Sequence, residues 1–349
     1  QRQMCIRDRY KIYWEDTKME FSATAGTAGG SLKALFEVRD GDNLENFKGK
    51  VTKADSYSLT VENISIDNIK SLNLPDKDGK ITVNNISYSY DSWEAQVDAQ
   101  GNIKSVTFNL SKDKAIADPE KTVAEGYLLN AGSAINARGI PYYMTQLNEF
   151  VRNFSEMFNQ IESKGQNLNG DTPPTFFEAI TNTAKVYDFS ESEAYSKLPD
   201  GQTATINSSS NTYYRMTAAN FSVNKDVMND VSLFATSTDY VKTDSCDIVD
   251  ELKKLQSEKT VYRGDKAESF LETIISNVSV DTEKAETYNK LYSNLEQTIA
   301  NQRTSVSGVD EDEEALNLVK FQYSYNMASK IISVMNQMLD KLINDTGVA

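Results

Sequence analysis

The 349-residue sequence has no histidine and only two cysteines, Cys5 and Cys246. Without an imidazole, Ser–His–Asp triads, Cys–His dyads and histidine-ligated metals are excluded. Two cysteines build neither a disulfide framework nor a cysteine-rich zinc site. With no histidine to activate it, Cys246 reads as a buried or half-buried thiol. No apolar run approaches the roughly 18 residues of a membrane span, and no signal-peptide pattern opens the chain. Basic residues are outnumbered 36 to 51, giving a formal net charge of -15. No basic patch interrupts that balance, which argues against nucleic acid and anionic lipid as partners.

What is present fits a globular chain. Charged residues make up 25% and apolar residues 39%, and 349 residues are enough for two or three domains with cores of their own. The opening nine residues, with Arg2, Arg7, Arg9 and Cys5, are foreign in style to the rest and read as a non-native leader. The natural amino terminus is then expected to be missing.

Between about Lys50 and Leu110 the pattern is β. Ser56–Val61 and Ile81–Tyr90 are rich in β-branched and aromatic residues with period-two stretches. Asp78-Gly79 and the stretch Asp98–Asn102 stand between apolar runs as hairpin turns do. Helical patterns flank this region. Gly29–Asp40 predicts a short helix, and Met144, Leu147, Val151, Phe154, Phe158 and Ile161 form a heptad seam. Short strands or packed loops are expected at Phe176-Phe177 and within Met216–Val223, a loop at 165–174, and a mobile Ser/Thr/Asn-rich loop at 201–211.

From Ile248 onward the chain reads as helix. Leu271, Ile274, Val278, Ala285, Tyr288, Tyr292, Leu295 and Ile299 keep heptad register, interrupted by Asp281. The two seams are expected to satisfy each other. Gly308 breaks the run and Asp310 caps a new helix, with Glu311–Glu314 complementing its dipole. In that last helix Leu318, Phe321, Tyr325, Ala328, Ile332, Met335, Leu339 and Leu342 alternate steps of three and four, a coiled-coil seam. Val319, Ile331 and Met338 widen it toward a second face. These eight seam residues are the candidate interface, and their partner is expected in missing residues or in another molecule.

The whole predicts an α+β multidomain chain: long heptad-patterned α-helices in a coiled coil or bundle, with an inserted small antiparallel β domain. The leader occupies 1–9, and 10–28 is the end of a preceding β domain or a linker. A helical core takes 29–41 and 139–305, including a mixed segment at 171–245. The β-rich insert is 42–138 and the terminal coiled-coil helix 309–349.

No catalytic, cofactor or metal site emerges. The acidic run Asp310–Glu314 is better explained as a helix start than as a Ca²⁺ site. Asp76–Gly79 lacks the third acidic ligand and distal glutamate of a calcium loop. No spacing singles out a carboxylate pair for glycoside hydrolysis.

Asp310–Ile343 closely resembles the carboxyl-terminal helix of bacterial flagellar axial proteins. Three further stretches agree in order: Gly29-Gly-Ser-Leu through Val38-Arg-Asp40, Tyr142–Asn148 through Phe158-Asn159 with the loop Gly165–Gly170, and Ala218–Val223. This ordered set resembles the hook-associated proteins of the hook–filament junction, over about 25–349 with the β insert excepted. Nothing matches that family's amino-terminal helix. Its usual histidine after Phe-Asn is replaced by Glu162 or a neighbour, which reads as a surface substitution.

The resemblance implies an exported, extracellular component of the bacterial flagellum. Its terminal helices pair coaxially in an inner tube, with self-assembly in a tubular array. The implied partners are the hook protein, the next junction protein and an export chaperone on the terminal helix. No enzyme activity, cofactor, nucleic acid or membrane insertion is implied. The alternatives are another flagellar axial protein, or a secreted coiled-coil effector or adhesin whose β insert is a binding module.

Overall fold

A computed structural model describes residues 15–16, 29–43, 45, 47–76, 79–84, 86–111, 116, 126–132, 135–181, 183–241, 245–257 and 262–345. The leader at 1–9 with Cys5, nearly all of 10–28, and Asp78 lie outside them; Gly79 begins a strand, Gly79–Val83, whose hairpin turn falls at its other end, between Val83 and Ile86, and not at Asp78-Gly79 as expected. Two compact units divide the chain, Gln1–Ile275 and Ser276–Ala349. The architecture is α+β, with a closed antiparallel sheet in the first unit and long helices at the end of the chain.

The first unit opens with α1 (Ser31–Asp40) and then winds six strands: β1 (Lys48–Asp55), β2 (Ser58–Glu62), β3 (Gly79–Val83), β4 (Ile86–Val97), β5 (Ile103–Leu110) and β6 (Leu128–Ala131). Their order is β3-β6-β1-β2-β5-β4, and β4 pairs back onto β3, so the sheet closes. Every pairing is antiparallel. Alternation drives this arrangement, since every second side chain of β2 and β5 is buried. Leu59, Val61, Val106 and Phe108 there meet Tyr90 and Trp93 of β4, with Phe108 edge-on to Phe47 at 5.5 Å. As the spacing predicts, Asp98 makes the turn between β4 and β5. Its carboxylate accepts the backbone N–H of Gln100 at 3.0 Å and of Asn102 at 2.8 Å.

The chain enters and leaves this sheet through a neck. Asp42 bridges Arg138, and the Gly139 N–H donates to the Gly41 carbonyl at 2.8 Å. Pro141 then starts α2 (Ile140–Glu162), the central helix of the unit. After it come β7 (Phe177–Ala179), α3 (Ser190–Ser196), β8 (Ala204–Asn207), β9 (Phe221–Val223), α4 (Lys225–Asn229) and α5 (Asp247–Ser257). β7 and β9 pair with each other at the two places where short strands are expected.

Several sequence expectations are corrected. The 201–211 stretch is not simply a loop. Within it β8 pairs with Glu94–Val97 and buries Ile206 in the core of the closed sheet. The seam of α2 does not run along one partner helix. Leu147 and Phe154 face Tyr262, Phe270 and Ile274; Val151 and Phe158 face Phe177 and Met216; Ile161 packs with Ile248 and Leu255. Short neighbours on several sides divide it. Cys246, expected buried or half-buried, is exposed.

The most buried side of α2 is polar. Arg152 is 2% exposed, and its guanidinium donates to the carbonyls of Met216 (2.9 Å), Lys70 (2.8 Å) and Leu72 (2.6 Å). Asn159 donates to the Phe177 carbonyl and accepts the Phe177 N–H, at 2.8 and 2.9 Å. Glu149 holds Arg263 at 2.6 Å, and Arg263 also reaches Glu45 at 3.0 Å. These bonds satisfy loop carbonyls and amides that would otherwise be buried unpaired. Glu162, expected on the surface, is 1% exposed. Its carboxylate accepts the Ala235 N–H at 3.1 Å, and burial pushes its pKa from the ordinary 4.5 up to about 7.

Candidate functional site

The candidate site is the surface of the last helix. α6 (Ala267–Ser307) begins in the first unit, where Ala267, Phe270 and Ile274 are buried. Beyond Ser276 its seam is exposed: Val278, Tyr288, Tyr292, Leu295 and Ile299 range from 40% to 64%. The helix stops at Gly308, where a Cβ would collide with the Thr304 carbonyl.

Asp310 then starts α7 (Glu311–Asp345), as the sequence predicts. Its carboxylate accepts the Asp312 N–H at 3.0 Å, and Glu311, Asp312, Glu313 and Glu314 fill the first turn. Acidic residues there oppose the positive end of the helix dipole. No glycine or proline interrupts the 35 residues that follow, which span about 52 Å at 1.5 Å per residue.

All eight predicted interface residues lie along one side of α7, and none is buried. Leu318, Phe321, Tyr325, Ile332, Met335, Leu339 and Leu342 are 50–74% exposed, and Ala328 is exposed with them. At 100° per residue they form one stripe. A second stripe, Leu316, Val319, Tyr323, Met327, Ile331, Val334 and Met338, lies roughly 130° around the helix and is also exposed. Sequence reading found Val319, Ile331 and Met338 of it and missed the other four. They carry the same three-and-four spacing, but a single-seam template passes over them.

Between Ala315 and Gln337 the only charged side chains are Lys320 and Lys330. Like-charge repulsion therefore does not oppose close packing along the middle of α7. Covering one large apolar side chain is worth about 1.5–3 kcal/mol, so two such stripes present a strong drive toward association. Among the described residues no helix is long and apolar enough to cross a membrane, and no cluster of His, Cys, Asp and Glu is arranged to hold a metal ion.

Residues 300–345, the last turns of α6 and all of α7, match the family model described as Flagellar basal body rod FlgEFG protein C-terminal. The chain is also 21% identical over 341 residues to flagellar hook-associated protein 1 of Bacillus subtilis (strain 168). That alignment covers 95% of this chain and 56% of the relative, so the chain spans about half the relative's length. One match lies at the last helices and the other runs nearly the whole chain, and both are to proteins of the bacterial flagellum.

Proposed function

We propose that this chain joins the flagellar hook to the filament and assembles through its terminal helices. The observation that carries this reading is α7, a 35-residue helix exposed along two apolar stripes. The first stripe, Leu318 through Leu342, pairs in heptad fashion with a second helix in the inner tube of the axial structure. The second stripe meets the neighbouring subunit. Repeated head-to-tail contacts of this kind build a ring or helix of subunits rather than a closed dimer. The hook protein lies on one side and the next junction protein on the other. Before assembly an export chaperone covers the same stripe, as a groove receives an amphipathic helix. The role is structural, not catalytic. The helical core supports the tube, and the β-rich region 42–138 stands outside it.

The test is Ile332→Asp with Leu339→Asp in the complete gene, in the bacterium that makes the protein. It is read on cells whose medium contains the exported variant. The expected result is intact hooks that carry no filament, with filament protein shed into the medium. Normal filaments would overturn the proposal. Loss of the hooks themselves would favour the rival reading, another flagellar axial protein acting earlier, to which the rod-protein description of the matched helix points.

A further inference from the structure

A polar cavity of about 290 Å³ opens beside α2, β7 and the segment from Val186 to Ser192. Its lining includes Glu156, Asn159, Glu178, Asp188 and Ser192, with Tyr187, Phe189 and Tyr213 as aromatic wall. Nearly every polar group here is engaged. Asn159 is bonded to Phe177 and Tyr213, Glu156 pairs with Lys70 at 2.6 Å, and Asp188 accepts the Ser190 N–H at 2.9 Å. Ser192 accepts the Tyr213 N–H at 2.9 Å.

Glu178 is the exception. On β7 the flanking Phe177 and Ala179 turn into the aromatic cluster, so strand alternation sends Glu178 to the opposite face. It is only 6% exposed, and among the described residues its carboxylate has no hydrogen bond or ion pair. Burial, and then the charge of Asp226, push its pKa up, with Lys225 opposing. Most of the side chain is covered while its carboxylate reaches the cavity, so a cation brought there meets a partly desolvated charge that has no hydrogen bond among the described residues. The aromatic wall already accepts such a group: the Arg215 guanidinium stands over the Tyr187 ring at 4.1 Å.

We propose that this cavity receives a cationic side chain, a lysine ammonium or an arginine guanidinium, from another polypeptide. Glu178 accepts its charge, and its aliphatic stem lies along the wall formed by Tyr187 and the stacked rings of Phe189 and Tyr213. Anionic ligands are disfavoured by three carboxylates in the lining. A bare metal ion is a poor fit, because no described His, Cys, Asp and Glu cluster is arranged to coordinate one.

The test titrates the protein with Nα-acetyl-arginine amide and Nα-acetyl-lysine amide, with Nα-acetyl-norleucine amide as neutral control. Amide chemical shifts of Glu178, Tyr187 and Ser190 report binding. A cationic probe is expected to saturate with a Kd in the millimolar range, while norleucine amide leaves these shifts unmoved. Glu178→Gln, which removes the buried charge, should weaken the cationic probe at least tenfold and leave Tm equal or higher. Equal shifts from neutral and cationic probes, or none from any, would overturn the proposal. So would methylammonium binding as tightly as the side-chain probes, since the stem would then contribute nothing. The probe comparison in the unaltered protein decides the matter even if Glu178→Gln fails to fold.

Discussion

Gly41 and Gly139 lie against each other where the chain enters and leaves the closed sheet, the amide of one bonded to the carbonyl of the other at 2.8 Å. Neither position has room for a side chain. A Cβ on Gly139 would meet the carbonyls of Glu37 and Val38, and one on Gly41 those of Glu37 and Ala137. Gly139→Ala should therefore cost about 1–3 kcal/mol through overpacking. Gly29→Ala, where nothing lies within 4 Å, should stay within about 0.5 kcal/mol. Urea denaturation of both variants checks the contrast.

Arg152 is a second weak point by design of its surroundings. Replacing it with leucine strands the carbonyls of Met216, Lys70 and Leu72, each a buried acceptor left without its donor. The expected loss is about 3–5 kcal/mol by chemical denaturation. Arg152→Lys should recover only part of it, since one ammonium does not reproduce the planar fork that reaches all three.

Glu162 makes stability depend on pH. Its pKa rises on folding from 4.5 to about 7, so the folded state holds the proton more tightly than the unfolded chain. The resulting stabilisation is complete below about pH 4.5 and is lost as pH rises through about 7. Asp42, raised to about 6, acts in the same direction at slightly lower pH. Glu162→Gln should flatten Tm between pH 5 and 8 relative to the parent protein and raise it at pH 8. A parallel slope in both proteins would remove Glu162 from the account.

The apolar stripes of α7 should matter for association and not for the fold of the first unit. Ile332 and Leu339 are 59% and 50% exposed, so replacing both with aspartate should shift the thermal unfolding of the first unit by less than about 0.5 kcal/mol. Calorimetry on the dilute protein, beside sedimentation of the concentrated protein, separates the two effects.

Much of this molecule is legible in its sequence where one strong period governs. The α7 stripe follows from steps of three and four, and the β strands from alternation and turn residues. β8 was not legible, because its four residues carry a single large apolar side chain, Ile206, and its partner strand lies more than a hundred residues earlier. The heptad reading of α2 selected Val151, Phe154 and Phe158 and passed over Arg152 and Asn159, which are more deeply buried. Polar side chains bury there because loop backbones supply their partners, and a linear pattern does not show which loops return. Glu162, which accepts the Ala235 amide, was illegible for the same reason.

Amide hydrogen exchange along α7 tests the central claim most directly. If the stripe awaits a partner, amides from Leu318 to Leu342 in dilute monomer should exchange far faster than those from Met144 to Ile161 in α2, which tertiary packing protects. In the assembled axial structure the two segments should become comparably slow. Equal protection of both segments in the dilute monomer would contradict the account, because α7 would then be stable without anything to cover it.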